Sequence, residues 1–230
     1  MRQITKGAEP PELTQWKAQN RALPNYCYAS LSAAHRLAIR AALVKEQGGL
    51  CAYTGRRIDE DSCHIEHLRP QAHCGLGEDI DYRNVVAGVP APNTPQLPYG
   101  AHRKADWPTV ADEHLFVSPL SADCASRFSF RLNGQVEAAN AGDVAAIQTI
   151  ARLGLNVQAL VDLRKAAIDA TLQIRGRGLA SLGIADARRR LRDLVQAEQQ
   201  TGSLEPYSFV LAQALERHIR RIEKIREARA

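Results

Sequence analysis

The stretch between residues 50 and 110 constrains the fold most, because its apolar runs are too short for long helices. It is rich in Gly, Pro, His and Asp. Residues 63–68, with the sequence CHIEHL, predict a short strand that ends before Pro70. Residues 84–89 predict a second strand, and a short helical segment is expected around His102. The predicted arrangement is therefore two strands and a short helix.

The chain before this stretch has helical patterns. Pro10 and the proline after it fit the first turn of a short helix. Ser30 or Ser32 is expected to cap a second helix, and the pair Gly48-Gly49 is expected to end it. The N-terminal part is therefore predicted to be helical.

The chain after this stretch begins with a hairpin signal and then becomes helical. Residues 128–136 alternate in polarity around an Asn-Gly pair, which is typical of a β-hairpin. From residue 143 onwards the pattern is helical, and Val144, Ile147, Ile150 and Ala151 are predicted to form one apolar stripe.

These patterns together predict a mainly α (α+β) protein with an inserted ββα unit and a short hairpin. Three segments are expected: an N-terminal helical segment over 1–49, the ββα core with its hairpin over 50–137, and a C-terminal helical region over 138–230. The last region is also a candidate docking surface for a partner.

Composition points to a cytoplasmic protein. The 230 residues are 45% hydrophobic and 24% charged, with no run of about 18 apolar residues and no apolar leader, so no membrane association is expected. The five cysteines include no CxxC pair, and reduced thiols are expected.

Charge is unevenly distributed along the chain. The net charge is +5, with 14 Lys or Arg against 8 Asp or Glu over 164–230, and 6 against 8 over 51–110. A basic region beside a slightly acidic one suits phosphate binding next to a cation site. It equally suits a solvated helix face, so charge alone does not separate the two interpretations.

Four residues have the chemistry that phosphodiester hydrolysis needs. Asn84 lies seventeen residues after the pair Glu66-His67, and His102 lies eighteen residues after Asn84. Neutral histidine suits a general base, and a carboxylate with a second histidine can hold a divalent metal. In a regular strand Glu66 and His67 point to opposite faces, so both reach one phosphate only where the strand ends or twists; His64 shares the face of Glu66.

These segments resemble the HNH endonuclease family, whose ββα-metal motif has an acidic-His pair, a central Asn and a final His or Asn. More narrowly, the chain resembles the retron-associated and Septu-type (PtuB-like) HNH nucleases of bacterial anti-phage defence. The resemblance covers roughly residues 1–165. It rests on the stretches RQITKG, EPPEL, QGGLCAY, HIEHLRP, and PL followed by DC.

The resemblance implies a role for each site residue. His67 would be the general base, and Asn84 would brace the loop that carries it. Glu66 and His102 would ligate one divalent metal, Mg²⁺ or Mn²⁺, with His64 as a further candidate ligand. Candidates for contacts with nucleic-acid phosphates are Arg69, Arg103 and Lys104, the last also counted with the catalytic group.

The sequence departs from the family where many relatives bind a structural zinc. Those relatives have two CxxC pairs, whereas this chain has Cys51-Ala52-Tyr53-Thr54 and Pro98-Tyr99-Gly100-Ala101 at the corresponding places. Three of four ligands are missing, so no structural zinc is expected. An improvised site that uses Cys51, Cys63, His73 or Cys74 is the alternative.

The resemblance implies a metal-dependent endonuclease that works in anti-phage defence with an ABC/SMC-like ATPase, as a hetero-oligomer. DNA is the favoured substrate and RNA, including tRNA, is the alternative, because the motif grips a phosphate rather than a base or sugar. Two other hypotheses remain: an inactive HNH-fold binding module, and a zinc-stabilised regulatory protein.

Overall fold

A computed structural model describes residues 1–174, 182–199 and 202–228. About half of the chain is helical and two small antiparallel sheets complete it, which confirms the expected α+β class. The helices are α1 (Pro11–Asn20), α2 (Ala33–Glu46), α3 (Ala101–Lys104), α4 (Val144–Arg152), α5 (Gln158–Leu172), α6 (Ile184–Gln199) and α7 (Ser208–Glu227). Short 3-10 turns span Tyr28–Ser30, Gln71–His73, Glu78–Ile80, Tyr82–Asn84, Val110–Leu115 and Cys124–Arg127. The strands are β1 (His64–His67), β2 (Val85–Gly88), β3 (Phe128–Phe130) and β4 (Val136–Ala138).

Strands β1 and β2, both expected from the sequence, form the first antiparallel pair. Glu66 lies opposite Val86 and His67 lies opposite Val85. On the outer side of β2, the buried Gln47 side chain accepts a hydrogen bond from the Ala87 N–H and donates one to its carbonyl. Gln47 follows α2, so this amide fixes the strand pair against that helix.

Strands β3 and β4 form the predicted hairpin. Gly134, in the turn, has φ +86°, a conformation that glycine adopts without strain. A Cβ here would also collide with the Val161 carbonyl of α5. The Asn-Gly pair therefore serves both the turn and the close approach of the hairpin to α5.

The main hydrophobic cluster draws on all three predicted segments. It includes Ile4 from the N-terminal segment, Tyr53 and Val86 from the core segment, and Leu160 and Leu211 from the C-terminal region. A second cluster packs α1 and α2 against β1 and β2. The C-terminal helices thus help to build the core around the strands.

The apolar stripe predicted along α4 is not the face of the helix that packs on the core. Val144 and Ile147 are exposed, whereas Ala145, Ala146 and Thr149 are buried. The Thr149 hydroxyl accepts a hydrogen bond from the Val117 N–H at 2.9 Å, so the polar side chain has a partner inside the protein. Small residues let α4 approach the 3-10 turn before Val117 closely, and this outweighs the hydrophobicity of the larger side chains.

Residues 202–207, just before α7, contact both the end of the N-terminal segment and the start of the core segment. The Leu204 N–H donates to the Gly48 carbonyl at 2.8 Å, and the Tyr207 N–H donates to the Gly55 carbonyl at 2.9 Å.

Across the described ranges, none of the helices combines the length and hydrophobicity needed to cross a bilayer.

Candidate active site

One face of β1 carries two polar side chains that point toward each other. His64 and Glu66 are two residues apart in the strand, so they share a face, as predicted. The His64 Nε2 lies 3.6 Å from the Glu66 Oε2, longer than an ordinary hydrogen bond. The His64 Nδ1 lies 2.5 Å from the Pro90 carbonyl, which can only accept, so Nδ1 carries a proton and in the neutral ring Nε2 is left with a lone pair.

The other carboxylate oxygen of Glu66, Oε1, has two hydrogen-bond donors. This oxygen lies 2.9 Å from the Lys104 Nζ and accepts a hydrogen bond from the Tyr53 hydroxyl at 3.3 Å. Burial works to raise the pKa of Glu66, but the interactions with His64 and Lys104 outweigh it and hold the pKa below its usual value. Glu66 is therefore an ionised carboxylate with one oxygen left toward His64.

Lys104 joins the two faces of the strand. It is only 3% exposed, and its Nζ donates to the His67 carbonyl at 2.8 Å as well as pairing with Glu66. Sequence reasoning expects a surface charge that contacts phosphate. In the structure the ammonium group instead holds two consecutive residues of β1.

His67 lies on the opposite face of β1, 7% exposed. Its Nε2 lies 2.8 Å from the Asp79 carbonyl, and the Tyr28 ring stands edge-on to it with 4.9 Å between ring centres. Burial lowers the pKa of His67, and the bond to the Asp79 carbonyl opposes this in part. The ring is therefore neutral near pH 7, with its proton on Nε2 and a free lone pair on Nδ1.

Asn84 holds the loop that follows His67. Its Oδ1 accepts a hydrogen bond from the Arg69 N–H at 2.8 Å, while its Nδ2 donates to the Arg69 carbonyl at 3.1 Å and to the Glu78 carbonyl at 3.3 Å. The Asn84 carbonyl also accepts a hydrogen bond from the Leu68 N–H, which extends the pairing of β1 with β2. Asn84 therefore ties β2 to the backbone of the loop that follows His67.

His102 lies beside His64 on the polar face. The two rings are stacked with 5.9 Å between their centres. The His102 Nδ1 accepts a hydrogen bond from the Leu97 N–H at 3.2 Å. In the described part of the chain, no three His, Cys, Asp or Glu side chains come close enough to hold one metal ion. Among the predicted ligands, Glu66 and His64 are 3.6 Å apart, and His102 is stacked on His64.

The two candidate arginines have different surroundings. Arg69 pairs with Glu78 at 2.9 Å and with Glu113 at 2.6 Å. Arg103 is exposed and its Nε donates to the Ala151 carbonyl at 3.3 Å, at the end of α4. Arg103 is therefore the more accessible positive charge near His102.

The two loops where relatives bind zinc are joined here by other contacts. The Arg56 guanidinium donates to the Tyr99 hydroxyl at 2.9 Å. A Cβ placed on Gly100 would lie 3.6 Å from the Thr54 methyl group, so the loops are in close contact. Phe209 from α7 packs against Gly55, beside the first loop.

Sequence reasoning missed three residues of the site: Tyr28, Tyr53 and Asp79. Tyr53 lies in the stretch QGGLCAY, so its place in the motif was a usable signal. Asp79 contributes a main-chain carbonyl, which no side-chain pattern identifies. Tyr28 comes from an irregular segment distant in sequence, and only the fold brings it to His67.

No protein-family model matches the chain. Among curated proteins, the chain is similar to one from Vibrio cholerae serotype O1 biovar El Tor described as "Retron Vc95 putative HNH endonuclease". The two are 28% identical over 142 residues, which cover 59% of this chain and 66% of that relative. The chain thus covers just under two thirds of the relative's length. This similarity supports an HNH endonuclease family.

Proposed function

We propose that the chain is a metal-dependent nuclease of the HNH type that hydrolyses phosphodiester bonds in nucleic acid. The observation that carries the proposal is the end of β1, where Glu66 and His67 are consecutive, Lys104 contacts both and Asn84 holds the following loop. The similarity to a described HNH endonuclease supports nuclease activity.

His67 is the proposed general base. With its Nε2 proton donated to the Asp79 carbonyl, Nδ1 is the atom that accepts a proton from the attacking water. The same bond fixes the orientation of the ring, because it ties the side chain to the loop that Asn84 braces. Burial keeps the ring neutral, which is the form a base requires.

The donor atoms of Glu66 and His64, on the face of β1 opposite to His67, fit a divalent cation. The Glu66 Oε2 and the His64 Nε2 face each other at 3.6 Å, and two ligands bound at about 2.1 Å to one ion can be up to about 4.2 Å apart. Glu66 and His64 would therefore hold the metal, with His102 next to them as the further candidate. When bound, a divalent ion supplies charge stabilisation at the phosphate. An imidazole with a carboxylate suits Mn²⁺, and Mg²⁺ is the alternative.

Arg103 is the proposed phosphate contact among the three candidates. Arg69 already pairs with Glu78 and Glu113, and the Lys104 ammonium is enclosed. Contacts of this kind grip the backbone, which DNA and RNA share, so they support nucleic acid as the substrate class. DNA remains the favoured substrate, with RNA as the alternative.

We also propose that the nuclease acts in bacterial anti-phage defence. This role rests on the resemblance and on the retron in the relative's description. The proposed partner is an ABC/SMC-like ATPase that docks on the C-terminal helical region.

The test is single-turnover cleavage of DNA and RNA by the wild type and by His67→Ala, with Mn²⁺ or Mg²⁺ and with EDTA. We expect wild-type cleavage that EDTA abolishes, and a loss of about 10²–10⁴-fold in His67→Ala, the usual contribution of a general base. His114→Ala, an exposed histidine on a 3-10 turn, is the matched control and should cut like the wild type. If the wild type binds nucleic acid but cuts none of it with either metal, the chain is a binding module and the proposal fails.

A further inference from the structure

Lys104 is buried at the point where the two proposed functional residues meet. It ends α3, a single turn that starts after Gly100, and the Gly100 N–H is anchored to the Leu153 carbonyl at 2.7 Å. From this anchored turn the Lys104 side chain reaches β1 with 1% of its surface exposed. The ammonium group is thus held in place by the fold and does not sample solvent.

Lys104 contacts the side chain of one residue of β1 and the main chain of the next. The first contact is to the Glu66 carboxylate at 2.9 Å, and the second is to the His67 main-chain carbonyl at 2.8 Å. Glu66 and His67 point to opposite faces of β1, so their relative orientation depends on how the strand twists at its end. A single ammonium bound to both fixes that twist.

The charge of Lys104 has a second effect, on Glu66. The lysine neutralises the carboxylate and occupies its Oε1 together with the Tyr53 hydroxyl, leaving Oε2 for a cation. A positive charge within a few ångströms repels a divalent ion that binds to the same carboxylate. By Coulomb's law, even in a water-like dielectric, this repulsion weakens binding by roughly tenfold or more.

Resting on the proposed function, we propose that Lys104 is the positioning residue of this site. It orients Glu66 and His67 about the end of β1, and its charge limits the affinity of Glu66 for the divalent cation. Lys104 therefore improves cleavage at the expense of metal affinity. A lysine that only stabilised the fold would favour both cleavage and metal affinity. Opposite effects on these two quantities therefore distinguish a positioning residue from a structural one.

The test compares Lys104→Gln with the wild type in two measurements on the full chain. Mn²⁺ affinity is measured without nucleic acid, by electron paramagnetic resonance, and cleavage is measured at saturating Mn²⁺. We expect Lys104→Gln to bind Mn²⁺ at least about tenfold more tightly, because the repulsion is removed. We expect its cleavage rate to fall at least about tenfold, because Glu66 and His67 lose their common anchor.

Lys6→Gln is the matched control. Lys6 also pairs with a glutamate, Glu46, and also donates to a strand carbonyl, that of Val85. It does not contact Glu66, so its replacement should leave the Mn²⁺ affinity within about threefold of the wild type.

An Mn²⁺ affinity that stays the same or falls in Lys104→Gln would overturn the proposal. Lys104→Met, which keeps the length of the stem, is measured in parallel. If a Lys104 variant folds only with Mn²⁺, the result supports the proposal, because the cation then replaces the lysine beside Glu66. If both Lys104 variants stay unfolded with Mn²⁺, the result contradicts the proposal. Failure of the proposed function is a separate result, in which Mn²⁺ binding follows the expected order but the wild type cuts no nucleic acid.

Discussion

Two glutamates with nearly the same partners lie on either side of one strand pair. Glu46 has a lysine, Lys6, and a tyrosine hydroxyl from Tyr82. Glu66 likewise has Lys104 and the hydroxyl of Tyr53. The two lysines donate to the carbonyls of Val85 and His67, which face each other across β1 and β2.

The two glutamates differ in the contacts of the carboxylate oxygen Oε2. The Glu46 Oε2 accepts hydrogen bonds from the Gly7 N–H at 2.9 Å and from Tyr82 at 3.0 Å, while Oε1 takes Lys6 at 2.5 Å. Among the residues that the structure describes, the Glu66 Oε2 faces only the His64 Nε2, at 3.6 Å. A carboxylate with both oxygens hydrogen-bonded joins elements of the fold, whereas one with a free oxygen beside a histidine can bind a ligand. This contrast separates a structural pair from a functional one.

Of the substitutions that test this contrast, Asn84→Ala is expected to have a larger effect than those of the two tyrosines, because Asn84 holds the loop after His67. Asn84→Ala removes four hydrogen bonds that hold the loop after His67, to the Arg69 N–H, the Arg69 carbonyl, the Cys74 sulfur and the Glu78 carbonyl. We expect cleavage to fall about 10–100-fold, since a shift of about 1 Å in a catalytic group can cost about 10²-fold. Mn²⁺ affinity should stay within about threefold, because Asn84 does not contact Glu66 or His64.

Cleavage kinetics and Mn²⁺ titration check this prediction, with hydrogen exchange of residues 69–78 as the structural readout. Faster exchange there should accompany the loss of activity. A variant that loses Mn²⁺ binding as well would show that the two faces of β1 are not separable, and the contrast between positioning and metal binding would fail.

The smallest effect is expected from the two tyrosines. Tyr82→Phe removes a hydrogen bond of 3.0 Å to Glu46 and should lower the free energy of unfolding by about 1 kcal/mol, a shift of about 2–4 °C in Tm. Tyr53→Phe removes a longer bond of 3.3 Å to Glu66 and should cost less. Thermal unfolding of both variants measures the difference. A larger loss in Tyr53→Phe would mean that Glu66 is the more structural carboxylate, contrary to the account.

Local sequence was enough to predict the elements that carry the site. The alternation in HIEH, the proline after it and the Asn-Gly turn are short-range signals, and the structure confirms β1, β2 and the β3–β4 hairpin. The same alternation predicted that His64 and Glu66 share a face. Their roles as ligands stay predictions.

Tertiary packing explains what the sequence could not predict. Lysine is among the residues least often buried, so nothing local indicates that Lys104 is enclosed by Glu66 and a carbonyl. The buried face of α4 was likewise decided by Thr149 and its partner at Val117, not by the periodicity of large apolar residues. Both cases depend on contacts with segments distant in sequence.

The most direct test of the account is the thermal stability of the wild type, Glu66→Gln and Glu46→Gln with and without Mn²⁺. Each substitution leaves a lysine without its carboxylate, so both variants should unfold at a lower temperature than the wild type without metal. At about 100 times the Kd, Mn²⁺ should stabilise the wild type and Glu46→Gln by about 2.7 kcal/mol, roughly 5–11 °C in Tm. Glu66→Gln should gain no more than a small fraction of this. A full gain in Glu66→Gln, or none in the wild type, would contradict the assignment of Glu66 as the metal-binding carboxylate.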